Sequence, residues 1–161
     1  MSVRVENSEI QSQAHRFARA LDDAGVGRRA SVAVLLPNVP EFVYCLRGAT
    51  WSGRTFTPVN WHLSADDIAY VVENCEPSAL VIHADFSEQA EALAANVSPS
   101  ARFAVGGTIP GFRSFDEVAT FSGDDLDKPL AGTLMLYTSG TTGKPKGVKT
   151  DVPDDGPPPC L

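Results

Sequence analysis

Residues 31–59 read SVAVLLPNVPEFVYCLRGATWSGRTFTPV. The first part, 31–36, is a short run of β-branched residues and leucine that Pro37-Asn38 brings to an end, the pattern of a buried strand running into a turn. Pro40 starts a helix, and Phe42, Val43, Leu46 and Ala49 recur at helical spacing until Gly53 breaks it. Residues 55–59 read as a second short strand in spite of Pro58. Strand, helix and strand in immediate succession predict a right-handed crossover and therefore two parallel strands.

The same alternation continues on both sides. Upstream, Ser8 followed by Gln11 is a capping-box signature, and Ile10, Ala14, Phe17, Ala18 and Leu21 form an apolar stripe up to Gly25. Downstream, Ser64 caps a third helix with Asp66 and Asp67 in its first turn and Ile68, Val71 and Val72 facing inward, and Pro77 marks its end. Residues 79–83 read as a strand, 88–96 as a helix and 102–105 as a further strand before Gly106-Gly107. Residues 115–121 suggest a short helix, and 123–129 an acidic surface loop. The expected fold is α/β, a mainly parallel sheet with flanking helices.

Composition bounds what such a domain does. With 161 residues, 43% of them apolar, the chain has material for one domain with a buried core, which argues against a disordered protein. Thirteen basic against twenty acidic side chains give a formal charge of −7, which disfavours nucleic acid as a partner and offers no polybasic handle for anionic lipid. Residues 1–13 lack a secretory apolar stretch, and the longest clean apolar run, 32–36, is far too short to cross a bilayer, so the expected location is the cytoplasm. Cys45, Cys75 and Cys160 show neither disulfide nor metal spacing. His15, His62 and His83 lie far apart without ligand partners, which leaves no metal site to assign. Trp51 and Trp61 read as packing residues. The acid pairs Asp66-Asp67 and Asp124-Asp125 read as helix-capping and solvated loop residues.

The chemistry concentrates after the strand expected at 133–137, in the run Thr138-Ser139-Gly140-Thr141-Thr142-Gly143-Lys144-Pro145-Lys146-Gly147-Val148. Gly140, Gly143 and Gly147 allow positive φ and close approach of the backbone to a ligand. The hydroxyls of Thr138, Ser139, Thr141 and Thr142 supply donors to phosphate oxygens, and Lys144 and Lys146 supply positive charge. A Walker loop is excluded, because only two residues separate Gly140 from Gly143 and Pro145 follows the lysine.

Residues 137–148 resemble the signature phosphate loop of the adenylate-forming superfamily, which includes acyl-CoA synthetases, peptide-synthetase adenylation domains and luciferases. The resemblance extends to Val32-Ala33-Val34-Leu35-Leu36-Pro37-Asn38, to Pro40-Glu41-Phe42-Val43, and to Thr57-Pro58-Val59-Asn60-Trp61-His62-Leu63-Ser64 with Ile68-Ala69-Tyr70. The Pro-Val-Asn-Trp-His-Leu stretch tilts it toward the acyl-CoA branch. What the resemblance implies is the first part of the large N-terminal domain of an enzyme that uses ATP and Mg2+ to convert a carboxylic acid, a fatty acid on this branch, to an acyl-adenylate and passes it to CoA. Thr138, Ser139, Gly140, Thr141, Thr142 and Lys146 would then line the β- and γ-phosphates of ATP or pyrophosphate, with Gly143 letting the loop fold over them and Lys144 auxiliary. One departure is Arg29-Ala30, where most members carry a glycine-aspartate pair.

In that family the adenine pocket, the ribose-binding acid, the magnesium-associated glutamate, the acyl tunnel and the adenylation lysine lie beyond this loop. No catalytic residue is therefore assigned within the chain, and turnover by it alone is not expected. The expected layout is a partial N-terminal subdomain over residues 1–148 followed by an exposed tail over 149–161, rich in proline, aspartate and glycine. Two alternatives stand beside an N-terminal piece of an acyl-CoA synthetase: a noncatalytic nucleotide-binding or interaction module derived from one, and an unstable truncation product.

Overall fold

The computed structural model describes residues 4–138 and 143–150. Seven strands form one sheet in the order β5-β4-β3-β1-β2-β6-β7, where β1 is Ser31–Leu35, β2 Thr55–Pro58, β3 Ala79–His83, β4 Arg102–Val105, β5 Arg113–Ser114, β6 Thr133–Thr138 and β7 Lys146–Lys149. Strands β1 to β6 pair in parallel, and only β7 is antiparallel, to β6. Helices α1 (Asn7–Asp23) and α2 (Pro40–Trp51) pack together, and so do α3 (Ala65–Cys75) and α4 (Ser87–Leu93). The step from β1 to β2 runs one way along the sheet and the steps to β3 and β4 run back, so right-handed crossovers set α2 on one face and α3 and α4 on the other.

The core sits on β1, β3 and β4, whose central residues are almost wholly buried on both faces, which is why their sequences are continuous apolar runs rather than alternating ones. Phe17 of α1 meets Phe103 of β4 and Phe115, with ring centroids 5.9 and 5.6 Å away. Gly48 lets α1 and α2 close up, since a Cβ there would lie 2.7 Å from the Ala14 carbonyl oxygen. Arg54, 1% exposed, donates to Val26 O, Ser52 Oγ and Asp22 Oδ1, the last at 2.6 Å, and so ties the C-terminal end of α1 to the start of β2. Burial pulls its pKa down, while the Asp22 carboxylate beside it opposes that shift.

Several local expectations shift. The Ser8 capping box is not used: α1 begins at Asn7, and the Glu6 carbonyl takes the amides of Glu9 and Ile10. Ser64 does cap α3, accepting from Asp67 N at 3.2 Å. Helix α4 ends at Leu93 rather than 96, because Ala94 and Val97 turn the chain toward β4. The segment expected to be helical near 115 is a 3-10 helix, Phe115–Thr120. Strands β5 and β7 escaped sequence reading: β5 has two residues and β7 lies in a glycine- and lysine-rich run without apolar period. Arg29 holds φ +65°, the left-handed conformation for which glycine is the natural residue, at the turn where the glycine-aspartate pair is replaced.

The chain then crosses from the β5 edge to the opposite edge over α1. Arg16 and Arg19 donate to the main-chain carbonyls of Ala119, Phe121, Ser122, Asp124 and Asp125, so the acidic loop is fastened through its backbone and its carboxylates face water. The amides of Leu130 and Gly132 then donate to the Trp51 and Thr50 carbonyls at the C-terminal end of α2, which delivers the chain beside β2.

Candidate phosphate-binding site

Strand β6 enters parallel to β2, with Thr55 opposite Thr133 and Phe56 opposite Leu134, and the two threonine hydroxyls 2.8 Å apart. Its last residue, Thr138, therefore points off the carboxyl edge of the parallel strands, the edge at which open α/β sheets bind ligands. Beyond Leu134 the ladder of β6 is with β7 alone: Met135 faces Lys149, Leu136 faces Val148, Tyr137 faces Gly147 and Thr138 faces Lys146. The two ends of the glycine-rich run are thus held side by side as the root of a hairpin.

Thr138 and Lys146 are both exposed, and the Thr138 hydroxyl makes a long contact, 3.5 Å, to the Lys146 carbonyl oxygen. Gly143 is exposed at φ +126° with open space where a Cβ would be, consistent with the conformational role expected of it. Gly147 is not at positive φ. It lies in β7, where a Cβ would come within 3.1 Å of both Met135 Sδ and the Tyr137 ring, so its missing side chain makes room for that ring. Ser139, Gly140, Thr141 and Thr142 lie outside the described residues, as does the expected tail from Asp151 on. Lys149 belongs to β7, and Thr150 N still donates to Leu134 O, so the ladder reaches past residue 148.

Two side chains of α3 under the hairpin, Tyr70 and Asn74, were not singled out from sequence. Tyr137 Oη donates to Asn74 Oδ1 of α3 at 2.6 Å. Lys144 Nζ stands 5.3 Å from the centroid of the Tyr70 ring, also on α3. Burial pushes the Tyr137 phenol up to about 12, with Cys75 and Tyr70 adding to the effect, and pushes the Cys75 thiol up to about 11 against the hydroxyls of Ser31 and Thr57. Tyr137 is therefore a protonated donor at neutral pH. The available signal was the four-residue spacing of Tyr70 and Asn74 on one helix, which marks a shared face but not what that face meets.

Chemically, the described part of the site offers a hydroxyl, two exposed ammonium groups and an unhindered glycine backbone, a donor set suited to an anion with several oxygens. Among the described residues no group of three histidine, cysteine or acidic side chains could hold a metal ion, and no helix is long and apolar enough to cross a membrane.

Comparison with known proteins fits this geometry. The family model described as AMP-binding enzyme matches residues 4–152. The indoleacetate–CoA ligase of Aromatoleum aromaticum is 32% identical over 145 residues, covering 87% of this chain and 28% of the ligase. The long-chain-fatty-acid–CoA ligase of Mycobacterium tuberculosis is 28% identical over 153 residues, covering 91% of this chain and 29% of the ligase. A dimodular nonribosomal peptide synthase of Bacillus subtilis is 29% identical over 150 residues, covering 91% of this chain and 6% of that protein. Among solved structures, the anthranilate–CoA ligase bound to anthranoyl-AMP superposes with a TM-score of 0.74 at 23% identity, covering 88% of this chain and 28% of that one. The chain thus spans under a third of the length of each of these three CoA ligases. With a family match over nearly its whole length and the parallel sheet of those ligases' N-terminal domains, the chain belongs to the AMP-binding enzyme family, the adenylate-forming ligases.

Proposed function

We propose that this chain is the N-terminal, polyphosphate-holding part of an ATP-dependent acyl-CoA synthetase of the cytoplasm, acting on a carboxylic acid of the fatty class. The observation that carries the reading is the pairing of Thr138 with Lys146 across β6 and β7, which brings the two ends of the glycine-rich run together at the carboxyl edge of the sheet. Thr138, Ser139, Gly140, Thr141, Thr142, Gly143 and Lys146 form the cradle for the β- and γ-phosphates. When the acid attacks the α-phosphate, charge grows on the departing pyrophosphate, and donors fixed at that end stabilise it. The similarity to CoA ligases of aryl and long-chain acids supports the acid–CoA reaction class, and the Pro58-to-Leu63 stretch supports the fatty branch.

The described residues supply no group of three histidine, cysteine or acidic side chains to hold Mg2+. A few charge-assisted hydrogen bonds at about 1.5–3 kcal/mol each, set against about 4 kcal/mol or more of lost translational and rotational freedom, give millimolar binding of pyrophosphate. Turnover needs acid, nucleotide and lysine oriented together, and this chain holds one end of one reactant. ATP–pyrophosphate exchange by the chain is expected to be silent, while calorimetric titration with pyrophosphate registers weak binding that Lys146→Met abolishes. Exchange activity from the chain alone would overturn the assigned incompleteness, and no heat at tens of millimolar pyrophosphate would overturn the cradle.

A further inference from the structure

Two contacts fasten the glycine-rich run to one face of one helix. Before the run, Tyr137 Oη donates to Asn74 Oδ1 at 2.6 Å. Within it, the Lys144 ammonium stands 5.3 Å from the Tyr70 ring centroid. Tyr70 and Asn74 are four residues apart on α3, so successive turns present them together. The helix is a firm base: Ser64 caps its start, Glu76 closes its end in the left-handed conformation, and Ile68, Val71 and Val72 are buried beneath it. The Tyr137 ring is also packed against Gly147 of the opposing strand, so both strands of the hairpin root are registered against α3.

We propose that Tyr70 and Asn74 are positioning residues for polyphosphate capture, Asn74 acting through Tyr137 on the strand that ends at Thr138, and Tyr70 acting through Lys144 on the segment that leads into Lys146. The inference rests on the phosphate-binding reading given above. An ammonium carries three N–H donors, and the ring face takes up one side of it, so Lys144 keeps donors free for phosphate oxygens while its long stem is restrained. Restraint before binding is what a solvent-exposed lysine otherwise lacks, and ordering it in advance removes part of the cost of capture.

The test uses the whole chain, reductively methylated with 13C on its lysines, with the Lys144 signal assigned by its disappearance in Lys144→Arg. Without ligand, that signal is expected upfield through the Tyr70 ring current, at its ordinary position in Tyr70→Leu, and upfield again in Tyr70→Phe. Titrated with inorganic pyrophosphate, Tyr70→Leu is expected to bind about fivefold more weakly and Tyr70→Phe like the unaltered chain, the loss corresponding to one cation–π contact. Asn74→Leu is expected to weaken binding about fivefold to tenfold, the range of one net hydrogen bond. Each loss should vanish in the matching background, Tyr70→Leu within Lys144→Met and Asn74→Leu within Tyr137→Phe, which a general loss of fold would not produce. Equal affinity in Tyr70→Leu and the unaltered chain, or a loss that persists in those backgrounds, overturns the proposal. An ordinary Lys144 signal with pyrophosphate still bound overturns the Tyr70 role and leaves the cradle standing, whereas an upfield signal with no pyrophosphate binding overturns the cradle and the positioning role with it.

Discussion

Strand β1 and strand β6 have similar apolar sequences, SVAVL and TLMLYT, yet live in different surroundings. In β1 every residue after Ser31 is buried, flanked by β2 and β3 in the sheet and by helices on both faces. In β6 the residues are half-buried or exposed, and its outer neighbour β7 is exposed throughout. Leu136 and Val148, directly paired, are 42% and 56% exposed. They share a face with Leu134, which lines an apolar cleft of about 320 Å³ with Leu46, Thr50 and Trp51 of α2. Burial is complete around β1, β3 and β4, and the β6–β7 edge is open. An exposed apolar pair next to an apolar cleft is a surface that another polypeptide segment can cover.

Substitutions sharpen that contrast in order of expected size. Phe103→Ala empties the wholly buried aromatic cluster of the buried side and is expected to cost about 3–5 kcal/mol in urea unfolding. A cost below about 1 kcal/mol would mean that the core is looser than its burial indicates. Gly132→Ala strikes the hinge between the two regions, because its Cβ would lie 2.1 Å from the Arg54 carbonyl oxygen and 2.9 Å from Thr50 Cα. We expect a loss of about 1–3 kcal/mol, with hydrogen exchange accelerating in β6 and β7 while β1 and β3 stay protected. Uniform acceleration would instead show one cooperative unit.

Alkali separates the regions without mutation. The Tyr137 phenol rises from its ordinary 10.0 to about 12 and the Cys75 thiol from 9.0 to about 11, both because burial favours the neutral form. Both folded values exceed the unfolded ones, so the stabilisation is complete below about pH 9 and is lost as pH rises toward 12. Stability should therefore fall over that window, and Tyr137→Phe should remove the upper part of the slope. An unchanged slope would detach the decline from the hairpin root. The smallest effect is expected at the open edge: Val148→Thr should move stability by less than about 0.5 kcal/mol. A much larger change would show that Val148 is covered in solution, by a second copy or by another chain.

The strands at 79–83 and 102–105 were legible because short apolar runs between turn residues have one ready interpretation in an α/β chain, and Ser64 was legible as a cap because capping is local. The Ser8 cap misled because Glu6 and Asn7 could start the helix as well, and nothing nearby decides between them. In the candidate site, the positive φ of Gly143 was legible from residue type. Tyr70, Asn74 and the strand character of Lys146 were not, since each depends on a partner distant in the chain.

By itself the sequence determined the alternation of strands and helices, the parallel sense of the sheet and the phosphate-suited chemistry of residues 138–146, because period, turn residues and donor types act over a few neighbours. Only the tertiary structure decided that β6 lies beside β2 rather than β5, that Arg54 is buried across α1 and β2, and that α3 holds the hairpin root. Those outcomes come from contacts between segments tens of residues apart, where closing the chain and filling the core select one arrangement among many that the local pattern allows.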